Sequence, residues 1–184
     1  MKYTKSSFFA KNDYVRSMHT PNSWILDTRS RNWVRGPRMG TGRSSFGCFH
    51  IMEHNTVTNV VVVGGESNYQ SLKSAEILDV KTMKWEYLPN LPFKVRSNNG
   101  VESVVGPFLG FSLGGFSSNH TGIDYGQKNG LEIEGEKIIN QQEARIFGLK
   151  KEGEKFIWQQ VNSLSTGRTR MASVNAPSSM VPSC

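Results

Sequence analysis

Cysteine is nearly absent from this 184-residue chain: there are two, Cys48 and Cys184. Two thiols cannot build a disulfide framework, so the fold must be held by an apolar core, with Cys48 read as a small core residue of a strand. Long apolar runs are missing too. No window approaches the length of a membrane span, and the opening Met1-Lys2-Tyr3-Thr4-Lys5 is not followed by the apolar core of a signal peptide. A cytoplasmic protein with no membrane association is the resulting expectation. Apolar residues are only 36% of the chain, which suits a β-protein with long polar loops. Also lacking are a phosphate loop, a nucleophile elbow and a Cys-x-x-Cys pair. His50 and His54 stand four apart at a strand end rather than on one helical face, so they do not form a zinc-protease pair. No catalytic residue, metal ligand or cofactor is assigned, and the chain is not expected to be an enzyme.

What is present is a repeat. Ile25-Leu26-Asp27 is followed by Trp33, Pro37 and Arg43; Ile77-Leu78-Asp79 by Trp85, Leu91-Pro92 and Arg96; Ile146-Phe147 by Trp158, Leu164 and Arg168. From each Trp to its Arg the step is 10, 11 and 10 residues, and the Trp residues of the first two copies lie 85 − 33 = 52 apart. Two apolar runs between the copies end in double glycines, Val60-Val61-Val62-Val63-Gly64-Gly65 and Phe108-Leu109-Gly110-Phe111-Ser112-Leu113-Gly114-Gly115. A period of that length containing short strands points to propeller blades.

Each repeat reads as four strands: in the clearest copy 45–51, 57–63, 75–80 and 84–88, with Asn55 and Lys81-Thr82 supplying turns. The double glycine closes the second strand, where a β-carbon would clash or φ must be positive. Each Trp lies on the outermost strand. Burying one against the next blade removes about 150–250 Å² from water, an upper bound on the order of 4–6 kcal/mol.

These residues resemble the kelch repeat. Gly64-Gly65, Ala75-Glu76, Trp85 and Arg96 follow that family's blade in order, and Gly114-Gly115, Ala144, Trp158 and Arg168 follow it again. The resemblance implies an all-β, incomplete kelch-type β-propeller of four-stranded antiparallel blades. About two whole blades with flanking pieces span 22–176, after an N-terminal segment 1–21 and before a tail 177–184. In the third copy Gly148 takes the place of Asp27 and Asp79, and the turn before Trp158 is four residues longer. An insert of 19 residues near 116–142 separates its second and third strands; its ends could pair as a hairpin, and its middle is compatible with order or disorder.

Strand alternation puts the loop between strands two and three on the same side as the linker into the next blade. That rim gathers Arg43, Ser44 and Ser45; Arg96, Ser97, Asn98 and Asn99; Arg168 and Arg170; and Ser67, Asn68 and Tyr69. Such side chains can grip a carboxylate-bearing protein or peptide through charge-assisted contacts. The recurring Arg can equally satisfy carbonyls of the adjacent blade. A net charge of +7 favours an acidic partner. Nucleic acid is not expected, although Arg29, Arg31, Arg35, Arg38 and Arg43 interleave with Trp24 and Trp33, because both aromatics fall on strand positions of the repeat. Unpaired blade edges make self-association an expectation. The resemblance implies a protein-interaction module, in settings such as a ubiquitin-ligase substrate receptor or an actin-associated protein; the alternative is a propeller enzyme of the sugar-modifying or oxidase type.

Overall fold

The computed structural model describes residues 19–68, 70–102, 106–117, 141–142, 145–163 and 165–166. In chain order the strands are β1 (Trp24–Asp27), β2 (Asn32–Arg35), β3 (Gly47–Glu53), β4 (Thr56–Val63), β5 (Glu66–Ser67), β6 (Gln70–Ser71), β7 (Ala75–Asp79) and β8 (Lys84–Leu88). They continue with β9 (Val95–Arg96), β10 (Asn99–Glu102), β11 (Phe108–Leu113), β12 (Phe116–Ser117), β13 (Gln141–Gln142), β14 (Arg145–Glu152) and β15 (Lys155–Ser163).

Two four-stranded antiparallel sheets dominate. Blade A has the order β3-β4-β7-β8 and blade B the order β10-β11-β14-β15. The β1-β2 hairpin supplies the third and fourth strands of a preceding half blade, because Leu26↔Trp33 repeats the pairing Leu78↔Trp85 of blade A. The described residues form an open series of blades with no closed ring. Among them no helix is long and apolar enough to cross a membrane.

Side-chain alternation explains why β4 is apolar on both faces. Val61, Val63, Ala75 and Ile77 join Phe49, Ile51 and Leu88 in the core shared with Phe147 and Leu149 of blade B. Val60, Val62 and Leu78 lie on the opposite face, toward the half blade, and are buried as well. A strand enclosed on both sides reads as a continuous apolar run, here Val60–Val63.

The double glycines behave as the sequence requires. Gly64 and Gly65 have φ of 64° and 96°, and a β-carbon on Gly65 would sit 2.5 Å from the Ser44 carbonyl oxygen. The pattern recurs at Gly115, with φ 105° and the Arg96 carbonyl 2.8 Å from such a carbon. Linker backbone therefore passes where only glycine leaves room.

The Trp residues tie consecutive units by one repeated bond. Trp85 donates its indole Nε1–H to the carbonyl of Pro37 at 3.1 Å, and Trp158 donates to the carbonyl of Pro89 at 2.9 Å. Each acceptor lies four residues past the preceding repeat Trp, so both of these indoles reach back to the unit before. Trp33 is 49% exposed, short of the burial expected for all three. Its face is the one that would meet a preceding unit, and no described sheet lies there.

The third copy corrects the sequence alignment. Leu149 pairs with Trp158 as Leu78 pairs with Trp85, so Gly148-Leu149-Lys150 correspond to Ile77-Leu78-Asp79. Lys150, not Gly148, holds the Asp position. Ile146 faces Leu113 as Ala75 faces Val63, which puts Ile146 rather than Ala144 in register with Ala75. The hairpin gains two pairs, Lys151↔Phe156 and Glu152↔Lys155, while its turn shrinks. Elsewhere the Asp is kept for the turn itself. Asp79 accepts the amides of Lys81 and Thr82 at 2.7 and 2.8 Å, and Asp27 accepts Ser30 Oγ and the Arg29 amide. These bonds favour the ionised form and lower both carboxyl pKa values, led by the Thr82 amide at Asp79 and the Ser30 hydroxyl at Asp27.

The 116–142 insert is described only at its ends. Phe116↔Gln142 and Ser117↔Gln141 pair as β12-β13, and β12 also pairs with β9. Residues 118–140 lie outside the described residues, as do 1–18 and the 177–184 tail.

Candidate partner-binding site

Blade linkers and the loop between strands two and three converge on one side. Ser44 and Glu66 exchange backbone hydrogen bonds of 3.0 and 2.8 Å. The Ser97 amide donates to the Ser45 carbonyl at 2.7 Å, joining the two linkers, and Leu72 bridges to Val95. The rim read from strand alternation therefore exists as a set of touching segments. Ser45, Asn68 and Ser97 all have positive φ, of 51°, 48° and 53°, so these segments are sharp bends rather than strand continuations.

The two recurring arginines differ in role. Arg43 is 3% exposed. Its Nη1 donates to the carbonyls of Gly64 and Ser74 at 2.8 and 3.0 Å, and its Nη2 to Glu76 Oε1 at 2.5 Å. Glu76 in turn accepts the amides of Gly40 and Thr41. The placement of Arg43 in a partner site is thus corrected: its guanidinium is enclosed and engaged with the blade, the carbonyl-satisfying alternative. Asn98 is corrected likewise. It is buried, donating Nδ2 to the Val63 carbonyl and Ser112 Oγ while its Oδ1 accepts the Gly47 amide. Asn98 thus ties blade A to blade B.

Arg96 takes a different position because its surroundings differ. The residue of blade B that corresponds to Glu76 is Phe147: Ser112↔Phe147 repeats Val62↔Glu76. Phe147 offers no carboxylate at that place, and Arg96 lies at the rim, donating Nη1 to Glu66 Oε2 at 2.7 Å and lying 5.9 Å from the Phe116 ring centroid. Its side chain retains 23% of its accessibility. His19 closes the other side of Glu66, with Nε2 3.9 Å from Oε1 and Nδ1 3.0 Å from Ser44 Oγ.

The rim is accordingly centred on Glu66 and Arg96, bordered by Ser44, Ser45, Ser67, Asn68 and Ser97. Asn99 lies on β10, paired with Leu113. Tyr69, Arg168 and Arg170 lie outside the described residues. From the sequence, Glu66 and Phe116 fall at the starts of two rim loops but are not assigned as contacts, and His19 is not placed at the rim at all. The available signal was an acid directly after Gly64-Gly65, on the face shared with Arg96.

Chemically this arrangement offers a cation with a resident carboxylate, small hydroxyls and an amide. Among the described residues no three His, Cys, Asp or Glu side chains gather closely enough to hold a metal ion.

No curated protein matches the chain. Residues 58–92, from the middle of β4 through β7 and β8 into the next linker, match the Kelch motif. An all-β architecture of four-stranded antiparallel blades, linked Trp to carbonyl, thus carries a kelch motif in blade A.

Proposed function

We propose that this kelch-type module is a binding protein that holds an acidic protein or peptide segment at the rim around Arg96. What carries the reading is the contrast between the two arginines: one enclosed with Glu76 inside the blade, the other at the rim, where it pairs with Glu66 and keeps part of its surface. A partner carboxylate joins or displaces Glu66 on the guanidinium, while Ser67, Asn68 and Ser97 at their bends offer short-range hydrogen bonds. The basic balance of the chain favours the approach of an acidic segment. A cytoplasmic, non-enzymatic role belongs to the same proposal. The ubiquitin-ligase and actin settings rest on the family resemblance alone.

Fluorescence anisotropy with a labelled Asp/Glu-rich peptide set tests this. Arg96→Ala is expected to weaken binding about tenfold, the scale of one charge-assisted contact. Glu66→Ala is expected to strengthen it by removing the competing carboxylate from the guanidinium. Binding indifferent to both substitutions would remove the rim from consideration.

A further inference from the structure

The half blade and blade B end the described series with two faces that match one another. On the half blade, Leu26 and Trp33 occupy the places of Leu78 and Trp85. In blade A those positions are covered by the preceding unit; in the half blade Trp33 is 49% and Trp24 37% exposed. On blade B, Phe111, Leu113 and Ile146 occupy the places of Val61, Val63 and Ala75. Those three residues are fully buried in blade A by blade B, whereas their counterparts are only half-buried. One end thus presents the side that inserts a Trp, and the other presents the side that receives one.

The acceptor is present too. Ile146↔Asn162 corresponds to Ala75↔Leu88, so Ser163 holds the place of Pro89, whose carbonyl accepts the Trp158 indole. Ser163 is exposed.

We propose that two copies of this chain associate head to tail, the half blade of each packing on blade B of the other, with Trp33 donating to the Ser163 carbonyl across the junction. The contact is a third instance of the one already made twice within the chain, and it joins faces rather than strand edges. The described residues of each copy make three radial sheets, one of two strands and two of four. Two copies give six, inside the usual range of about four to eight blades for a closed ring, whereas three would give nine. A head-to-tail interface that closes stops at a finite assembly.

Sedimentation equilibrium of the full 184-residue chain is the test. The mass is expected to rise with concentration from one copy of 20.6 kDa to two and to stop there. Trp33→Lys, on an exposed strand, is expected to weaken association by about 30-fold or more, the scale of a buried aromatic anchor. Phe111→Lys, at the other end, is expected to do the same. Each variant keeps one intact face, so mixing the two restores a dimer joined by a single junction, which a symmetric same-face contact cannot do. If Phe111→Lys loses its β-sheet circular dichroism, Ile146→Lys takes its place in the mixture. A chain that stays monomeric at all concentrations, a dimer indifferent to Trp33→Lys, a mass climbing past two copies, or a mixture that remains monomeric would each overturn the proposal.

Discussion

Replacing Glu76 by alanine is expected to destabilise the protein by about 3–5 kcal/mol, the usual effect of removing one partner of an enclosed ion pair. Glu76 is 1% exposed, and its carboxylate serves Arg43 and the amides of Gly40 and Thr41 at once. Without it the Arg43 guanidinium stays enclosed with only neutral acceptors, and two linker amides lose theirs. Arg43 Nε is already buried without a hydrogen-bond partner, so the site has no spare acceptor to offer. A folded domain typically has about 5–15 kcal/mol in total, which makes this loss close to unfolding for a small one. Glu76→Gln keeps an acceptor while removing the charge and should fall between the two. Urea midpoints of the three proteins check this order. Equal midpoints for wild type and Glu76→Ala would show that the pair contributes nothing.

Blade B indicates why the pair is a local solution. There Phe147 replaces Glu76, and the linker carries Pro92 and Phe93, with the Phe93 and Phe147 rings edge to face at 5.3 Å. Proline has no amide to satisfy, and the Arg145 guanidinium covers Phe93 at 4.1 Å. One blade seats its linker with charge and amides, the next with aromatic contact.

The second large effect is expected at Phe49, where truncation to alanine should cost about 3–5 kcal/mol. Phe49 is buried in the core between the blades, and its ring occupies the space above Gly110. A β-carbon at Gly110 would fall 2.3 Å from ring atoms Cδ2 and Cε2. Gly110→Ala therefore forces the ring to move, at a cost of about 1–3 kcal/mol, in a strand where alanine would otherwise be favoured over glycine. In the double variant the added methyl enters the space the ring has left. Thermal or urea unfolding of the four proteins should thus show strong non-additivity, with the double variant more stable than the sum of the single losses. Simple additivity would mean that the ring does not pack on Gly110.

Much of this was legible from residue spacing. Strand bounds of blade A fall within two residues of those read from the sequence, because turn residues and the double glycine mark each strand end. Blade B was harder for a physical reason. Its ladder is irregular between Phe108 and Gly110 and again between Ile146 and Phe147, and its hairpin is two pairs longer. Matching Ile146-Phe147 to Ile77-Leu78 therefore slipped the third copy by two positions. That slip hid the exchange of Glu76 for Phe147, which is what separates enclosed Arg43 from rim-facing Arg96. Two arginines at equivalent repeat positions look alike until the residue across the sheet is known. The pairing of Glu66 with Arg96 escaped for a related reason: the two are 30 residues apart, in contact through the blade linker's path rather than any local pattern.

Indoles that reach from one unit to the carbonyl of the unit before hold the blades in series. The chain has four Trp residues, so a nitrogen-15 spectrum resolves four indole N–H signals whose hydrogen exchange can be followed separately. Trp85 and Trp158 are expected to exchange slowly, and replacing Trp85 by phenylalanine should assign its signal without emptying the site. Exchange of both at the rate of a solvent-exposed indole would contradict the linked-blade arrangement.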